Sequence, residues 1–194
     1  MAFLAILSTG ATLPARTRYK DWLRDNRGAA AIEFAIVALP FFLFVFGIIG
    51  FGLYFFTANA LENGVENAAR KIRTGEAQKS ELTVGEFRKL VCDEVGTYID
   101  CNKLRVLLQS SSNWSGISPV SCTDAKGNLV SSTGSADDAV SDYSGNESEV
   151  VLVTLCYKWD LAQTLSFLHL GSGAGGSGPA IVQAATAFRT EPYS

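Results

Sequence analysis

The sequence has little of what enzymatic or metal chemistry needs. It contains one His (His169), one Met and four Cys, and no two of the Cys have the CxxC spacing. A catalytic thiol needs a nearby His, and we expect His169, which stands between two leucines, to lie in a surface turn. No Ser/His/Asp set is apparent either. We therefore predict no catalytic residue, no metal and no cofactor.

Basic charge is scarce beyond the first 28 residues. Residues 29–194 hold 11 basic and 17 acidic residues, a formal charge of −6. This charge argues against nucleic acid as a partner, because phosphate binding needs a basic patch. The glycine-rich segment Gly171–Gly178 has no Lys and is interpreted as a connector, not a phosphate-binding loop. The acidic residues between 137 and 149 lack the EF-hand spacing and indicate a solvated acidic loop.

Charge is absent altogether from Phe34 to Phe56, a run of 23 residues. This run is long enough to cross a bilayer as one helix. Five basic residues lie between 16 and 27, whereas the first one after the run is Arg70. The positive-inside rule therefore predicts that residues 1–27 are cytoplasmic and that the chain after Phe56 lies outside.

Compartments outside the cytoplasm, such as the periplasm, are oxidising, so the four cysteines can pair there. Four cysteines allow three connectivities, and the sequence does not choose among them. We favour Cys92–Cys101 and Cys122–Cys156, because the first two lie close together in the sequence.

Periodicity predicts an α+β fold. We expect a helix over 29–74 that continues outside the membrane to Gly75, and a second helix over 84–99 with a capping box formed by Thr83 and Glu86. Strands are expected at 103–109, 149–159 and 181–189, with a short helix or apolar turn at 161–170. Residues 110–148 are interpreted as an extended, flexible surface loop, in which 126–128 can form a short hairpin.

These elements predict a domain organisation in four parts: residues 1–28, the spanning residues 29–56, their continuation 57–75, and an α+β domain over 76–194. The simplest burial packs the outer half of the long helix on one face of a small antiparallel sheet.

The residues Arg27-Gly28-Ala29-Ala30-Ala31-Ile32-Glu33-Phe34 resemble a prepilin processing site. Together with Pro40, Gly47, Phe51-Gly52 and Ala68-Ala69-Arg70, they resemble the TadE-like family of minor pilins, or pseudopilins, of tight-adherence (Flp-type) pili. Further fragments are similar to alphaproteobacterial members: Val91-Cys92-Asp93, Asp100-Cys101, Tyr157-Lys158-Trp159 and Ala185–Tyr193.

The resemblance implies the lollipop shape of pilins and pseudopilins, and it implies a subunit and not an enzyme. It implies that a prepilin peptidase cuts between Gly28 and Ala29, and that the new amine of Ala29 pairs with Glu33 of a neighbouring subunit during assembly. The implied partners are that peptidase, the major Flp-type pilin, other minor pilins and the inner-membrane assembly platform. The implied location is the inner membrane with a periplasmic domain, and the cell-surface pilus after assembly.

Other interpretations stay open. Thr57-Ala58-Asn59-Ala60 is superficially similar to a signal-peptidase site, although the apolar run exceeds the usual length of such signals. The chain can also be an uncleaved single-span scaffold, or an anchored adhesion domain that binds its ligand through residues 110–148. An anchored hydrolase is the weakest alternative, because no catalytic constellation is visible.

Overall fold

The computed structural model describes residues 28–125, 127–171 and 178–192. The helices are α1 (Ala29–Arg73), α2 (Glu76–Lys79), α3 (Val84–Val95), α4 (Ser141–Ser144) and α5 (Leu161–Thr164), and the strands are β1 (Leu104–Ser111), β2 (Val150–Trp159) and β3 (Ala180–Arg189). The chain divides into two compact units, Met1–Phe46 and Gly47–Ser194. The mixed α+β class is as predicted.

The described part of the first unit is the beginning of α1. Its large apolar side chains are exposed, and neighbouring rings contact each other, with Phe42 and Phe46 stacked at 6.2 Å between ring centroids. Pro40 lies inside the helix without ending it.

Helix α1 ends where its sequence predicts. Three basic residues occupy its last turn, where cations complement the helix dipole. Gly75 then adopts a φ of 75°, which glycine tolerates best, and its N–H donates to the Ile72 carbonyl at 3.1 Å.

Helix α3 begins at the predicted capping box. The Thr83 hydroxyl accepts from the Glu86 N–H at 3.2 Å, and the Glu86 carboxylate accepts from the Thr83 N–H at 2.9 Å. The predicted end at residue 99 was wrong, because Gly96 stops the helix with a φ of 75°. A 3₁₀ turn, Gly96–Tyr98, follows and Ile99 is still buried.

The three described strands form one antiparallel sheet in the order β1-β2-β3. Val106 is opposite Leu155, and Leu155 is opposite Ala184. All three strands were predicted, with bounds that differ by one or two residues.

One face of the sheet packs on the outer part of α1 and on α3. This main core belongs to the second unit and is built from apolar side chains with almost no exposure. Its largest fully buried members are Phe87, Leu61, Ile72, Leu104, Leu155, Val65, Val91, Val106, Val140, Val151 and Val153. The predicted contact between helix and sheet is therefore present.

The opposite face of the sheet is also covered, which the sequence did not indicate. Leu107, Cys122 and Cys156 form a second buried cluster, against which Val120 and Leu129 pack. As a result, every residue of β2 except Lys158 is buried.

The interpretation of 110–148 as a surface loop was therefore only partly right. Cys122, Val140 and Ser144 are buried, and the segment contains the short helix α4. A single bridge joins Thr123 to Leu129 around the predicted hairpin, although Lys126 lies outside the described residues. Most of the predicted connector Gly171–Gly178 also lies outside them.

Candidate processing and assembly segment

The predicted processing site lies at the first described residues. Gly28 is exposed, with no atom within 4 Å of the position that a Cβ would occupy, and α1 begins at Ala29. Residues 1–27, the rest of the predicted leader 1–28, lie outside the described residues. The peptide bond between Gly28 and Ala29 therefore stands at the boundary where the regular helix begins.

Glu33 lies one helical turn after Ala29 and is exposed. Residues four apart lie on the same face of a helix, so the Glu33 carboxylate and the start of α1 share a face. No basic side chain of the described residues forms an ion pair with Glu33 within 4 Å.

The helix after Glu33 is long and apolar enough to span a membrane, and it is the one described helix of that kind. Its most apolar stretch is hardly buried inside the protein, and Phe34 and Phe44 are 71 % and 67 % exposed. Large apolar side chains exposed in such number need an apolar environment outside the chain, either lipid or other helices.

The glycines of this run have different surroundings. A Cβ at Gly50 would lie 2.6 Å from Cδ1 of Leu168 and 2.9 Å from Cδ1 of Leu165, whereas a Cβ at Gly52 would meet nothing within 4 Å. Gly50 therefore makes room for side chains from the same chain. The sequence alone could not distinguish this role from close approach by a second membrane helix.

The four cysteines form the two disulfides that we favoured. Cys92, near the end of α3, is joined to Cys101, and Cys122 is joined to Cys156 of β2. The Cα atoms of the two pairs are 6.0 Å and 5.5 Å apart. The second bridge ties the chain segment around Cys122 to the central strand.

Two charged groups on the second unit were not anticipated from the sequence. Lys103 contacts Asp160 at 2.8 Å and Asp100 at 3.2 Å, and these bonds raise the pKa of Lys103. The hydroxyl of Tyr143 donates to Asp138 at 2.6 Å and lowers the pKa of that carboxyl group. The contact between Lys103 and Asp160 joins parts of the chain that are distant in the sequence, and such a pairing leaves no periodic signal, whereas the Tyr143–Asp138 hydrogen bond is local.

His169 and the large aromatic side chains outside the apolar run lie at ordinary positions. His169 is exposed with a φ of 51°, and its Nδ1 lies 3.1 Å from the Phe167 carbonyl oxygen. Trp159 is buried in the core and Phe188 packs against it, whereas Trp114 is 58 % exposed. Among the described residues, no three His, Cys, Asp or Glu side chains are grouped closely enough to hold a metal ion.

Residues 28–70 match the model of the TadE-like protein family, which confirms the resemblance seen in the sequence. The match begins at Gly28 and covers nearly all of α1. The family is pilus-associated and pilin-like, and it is not an enzyme family. No curated protein and no solved structure matches the chain.

Proposed function

We propose that this chain is a minor pilin-like subunit, or pseudopilin, of a tight-adherence type IV pilus, and that it acts in pilus initiation or at the tip. One observation carries the proposal. The TadE-like match over 28–70 coincides with a helix that begins at Ala29, presents Glu33 one turn later and then exposes an uncharged apolar run. Such a segment is best explained as the membrane anchor of a component of the pilus system.

Processing by a prepilin peptidase is the first step of this proposal. The scissile bond follows Gly28, whose lack of a side chain leaves the backbone accessible. The basic residues before it hold the leader at the cytoplasmic face, where the peptidase acts. Cleavage would leave Ala29 as a new amino terminus.

Assembly is the second step. The α-amino group of Ala29 would carry a positive charge, and Glu33 carries a negative one. A lone carboxylate at the edge of the membrane is costly, and an ion pair with the amine of an adjacent subunit offsets that cost. The apolar run would then pack against the helices of the major Flp-type pilin and of other minor pilins, supplied by the inner-membrane assembly platform.

The first experiment determines the amino-terminal sequence and intact mass of the protein recovered from its own host. We expect a chain that starts at Ala29. A Gly28→Trp variant should remain uncleaved, because the bulky side chain would obstruct the peptidase. The matched control is Gly10→Trp, which places the same side chain at another glycine of the leader and should be processed normally.

A wild-type chain that still begins near Met1 would contradict the pseudopilin proposal. The working model would then be an uncleaved single-span scaffold of the inner membrane. Equal cleavage of wild type and Gly28→Trp would instead place the processed bond elsewhere, with the signal-peptidase-like residues 57–60 as the next position to examine.

A further inference from the structure

Leu165 and Leu168 pack against helix α1 within its apolar run. All the residues concerned belong to the unit Gly47–Ser194. Gly50 is buried beneath both leucines, and a Cβ at Gly47 would lie 3.7 Å from Cδ2 of Leu168. The segment Leu161–Leu170 therefore lies beside α1 at the level of Gly47 and Gly50.

These two glycines lie inside the membrane wherever the span is placed within the uncharged run. A bilayer core needs about 20 helical residues, and the run Phe34–Phe56 has 23. Every stretch of about 20 residues within that run includes Gly47 and Gly50. Gly50 lies about 9 Å along the helix axis from the outer end of the run. A side chain that contacts it must reach below the membrane surface.

The composition of Leu161–Leu170 suits such a position. The chain from Leu161 to Phe188 contains no Asp, Glu, Lys or Arg. Leu161 and Phe167 are 39 % and 42 % exposed. The Leu165 N–H donates to the Leu161 carbonyl at 3.1 Å, and the Leu168 N–H donates to the Leu165 carbonyl at 2.9 Å. These internal hydrogen bonds lower the cost of bringing the backbone into an apolar environment.

Aromatic pairs surround the outer end of the run. The rings of Tyr54 and Trp159 meet edge to face at 5.6 Å, and those of Phe56 and Tyr98 at 5.3 Å. Tyr98 is 73 % exposed. Tyr and Trp concentrate at the boundary between membrane and water, and the exposed ring of Tyr98 beside Phe56 suits the level of the lipid headgroups.

We infer that Leu161–Leu170 is a second membrane contact, which inserts into the outer leaflet beside α1. The exposed side chains of this segment would contact the region between the lipid headgroups and the acyl chains, where interfacial segments lie about 5–10 Å deep. We choose lipid as the partner because the segment packs directly on the spanning helix. The inference rests on the proposed membrane span of α1. The contact would hold the domain against the membrane before the subunit enters a fibre.

Photo-crosslinking of the full chain in vesicles of phosphatidylcholine and phosphatidylglycerol tests this inference. The photoreactive residue p-benzoylphenylalanine replaces Phe167, or Phe44 of the spanning run, or Trp114 in the domain. All three side chains are exposed, so the replacement should not disturb folding. We expect lipid adducts from positions 167 and 44, and none from position 114.

The three positions separate the possible failures. Lipid adducts at position 44, with position 167 no higher than position 114, would overturn the second membrane contact and leave the span intact. An absence of adducts at both 44 and 167 would contradict the span itself. Crosslinks from position 167 to a second copy of the chain, without lipid, would identify a subunit contact and would also overturn the inference.

Discussion

The glycines of α1 have different structural roles, although all of them lie in one helix. A Cβ at Gly64 would lie 2.6 Å from Cγ1 of Val95, so this glycine permits the close approach of α3. Gly50 makes room for leucines of a distant segment, and Gly52 has open space around it. Because each of them appears in the sequence as a glycine in a helix, only the packing distinguishes their roles.

Glu33 is the residue at which the proposed assembly step can be separated from processing. Glu33→Gln removes the charge but keeps the size, so we expect normal cleavage after Gly28 and a loss of the subunit from sheared pili. The matched control is Glu62→Gln, another exposed acid of α1, which lies beyond the apolar run. Cell-fractionation immunoblots measure both outcomes.

Two results would count against this role of Glu33. Normal incorporation of Glu33→Gln would show that the carboxylate has no part in assembly. Equal losses for Glu33→Gln and Glu62→Gln would point to a general effect of charge on the helix.

At the scale of elements, the segment between β1 and β2 is fastened by its own polar groups. The Thr133 N–H donates to the Val106 carbonyl at 2.9 Å, and the Leu108 N–H donates to the Thr133 hydroxyl at 2.9 Å. The Asp138 carbonyl accepts from the Val84 N–H at the start of α3. The segment thus covers the outer edge of β1 and satisfies an amide that the helix itself leaves unpaired.

The Asp138–Tyr143 hydrogen bond gives this segment a pH dependence. It is the largest cause that lowers the pKa of Asp138 below its ordinary value of 3.8. A depressed pKa contributes stability that is present above 3.8 and is lost as the pH falls through the lower folded value. Tyr143→Phe should therefore raise the pKa of Asp138 toward 3.8 and reduce the loss of stability on acidification.

Carboxyl ¹³C NMR titration of Asp138 in the detergent-solubilised chain measures this change. Tyr98→Phe is the control, because it removes an exposed phenol that is remote in sequence from Asp138. An Asp138 pKa that is the same in wild type and Tyr143→Phe would refute the assignment. The N–H of Ser135, which also donates to Asp138, would then account for the shift.

Sequence patterns predicted the elements better than their surroundings. The alternation along β2 and the capping box at Thr83 are local signals, and both elements formed as expected. The end of α3 was missed because an apolar Ile99 continued the helical period past Gly96. The burial of Val140 was missed because an isolated apolar residue in a polar segment has no period.

At the scale of the whole molecule, the candidate segment gives the most direct signals in the sequence. Its signals are contiguous in the sequence: a glycine, a carboxylate five residues later and a long uncharged run. The contact of Leu168 with Gly50 joins residues more than a hundred positions apart, so sequence reasoning on a single chain could not find it. The sequence alone thus led to the proposed role of this segment, whereas the packing of Leu168 on Gly50 required the structure.

The disulfides connect the fold to the proposed location. If the domain lies in the periplasm, chain recovered from its host should have no thiol reactive toward maleimide, and reduction should expose four. In a host without the periplasmic disulfide-forming oxidase, the thiols should react and the protein level should fall, because each bridge contributes about 2–4 kcal/mol to stability. Intact mass after alkylation counts the adducts.

The double variant Cys122→Ala/Cys156→Ala is the control for counting adducts by mass, because it should show two adducts after reduction and none before. Reactive thiols in the wild-type chain from its normal host would indicate a cytoplasmic domain and would reverse the predicted orientation. Since the basic residues before the span are the sequence basis for that orientation, the same result would contradict processing at Gly28 as well. Two intact disulfides in a chain that is not cleaved would instead indicate a periplasmic domain that a permanent transmembrane helix anchors to the membrane.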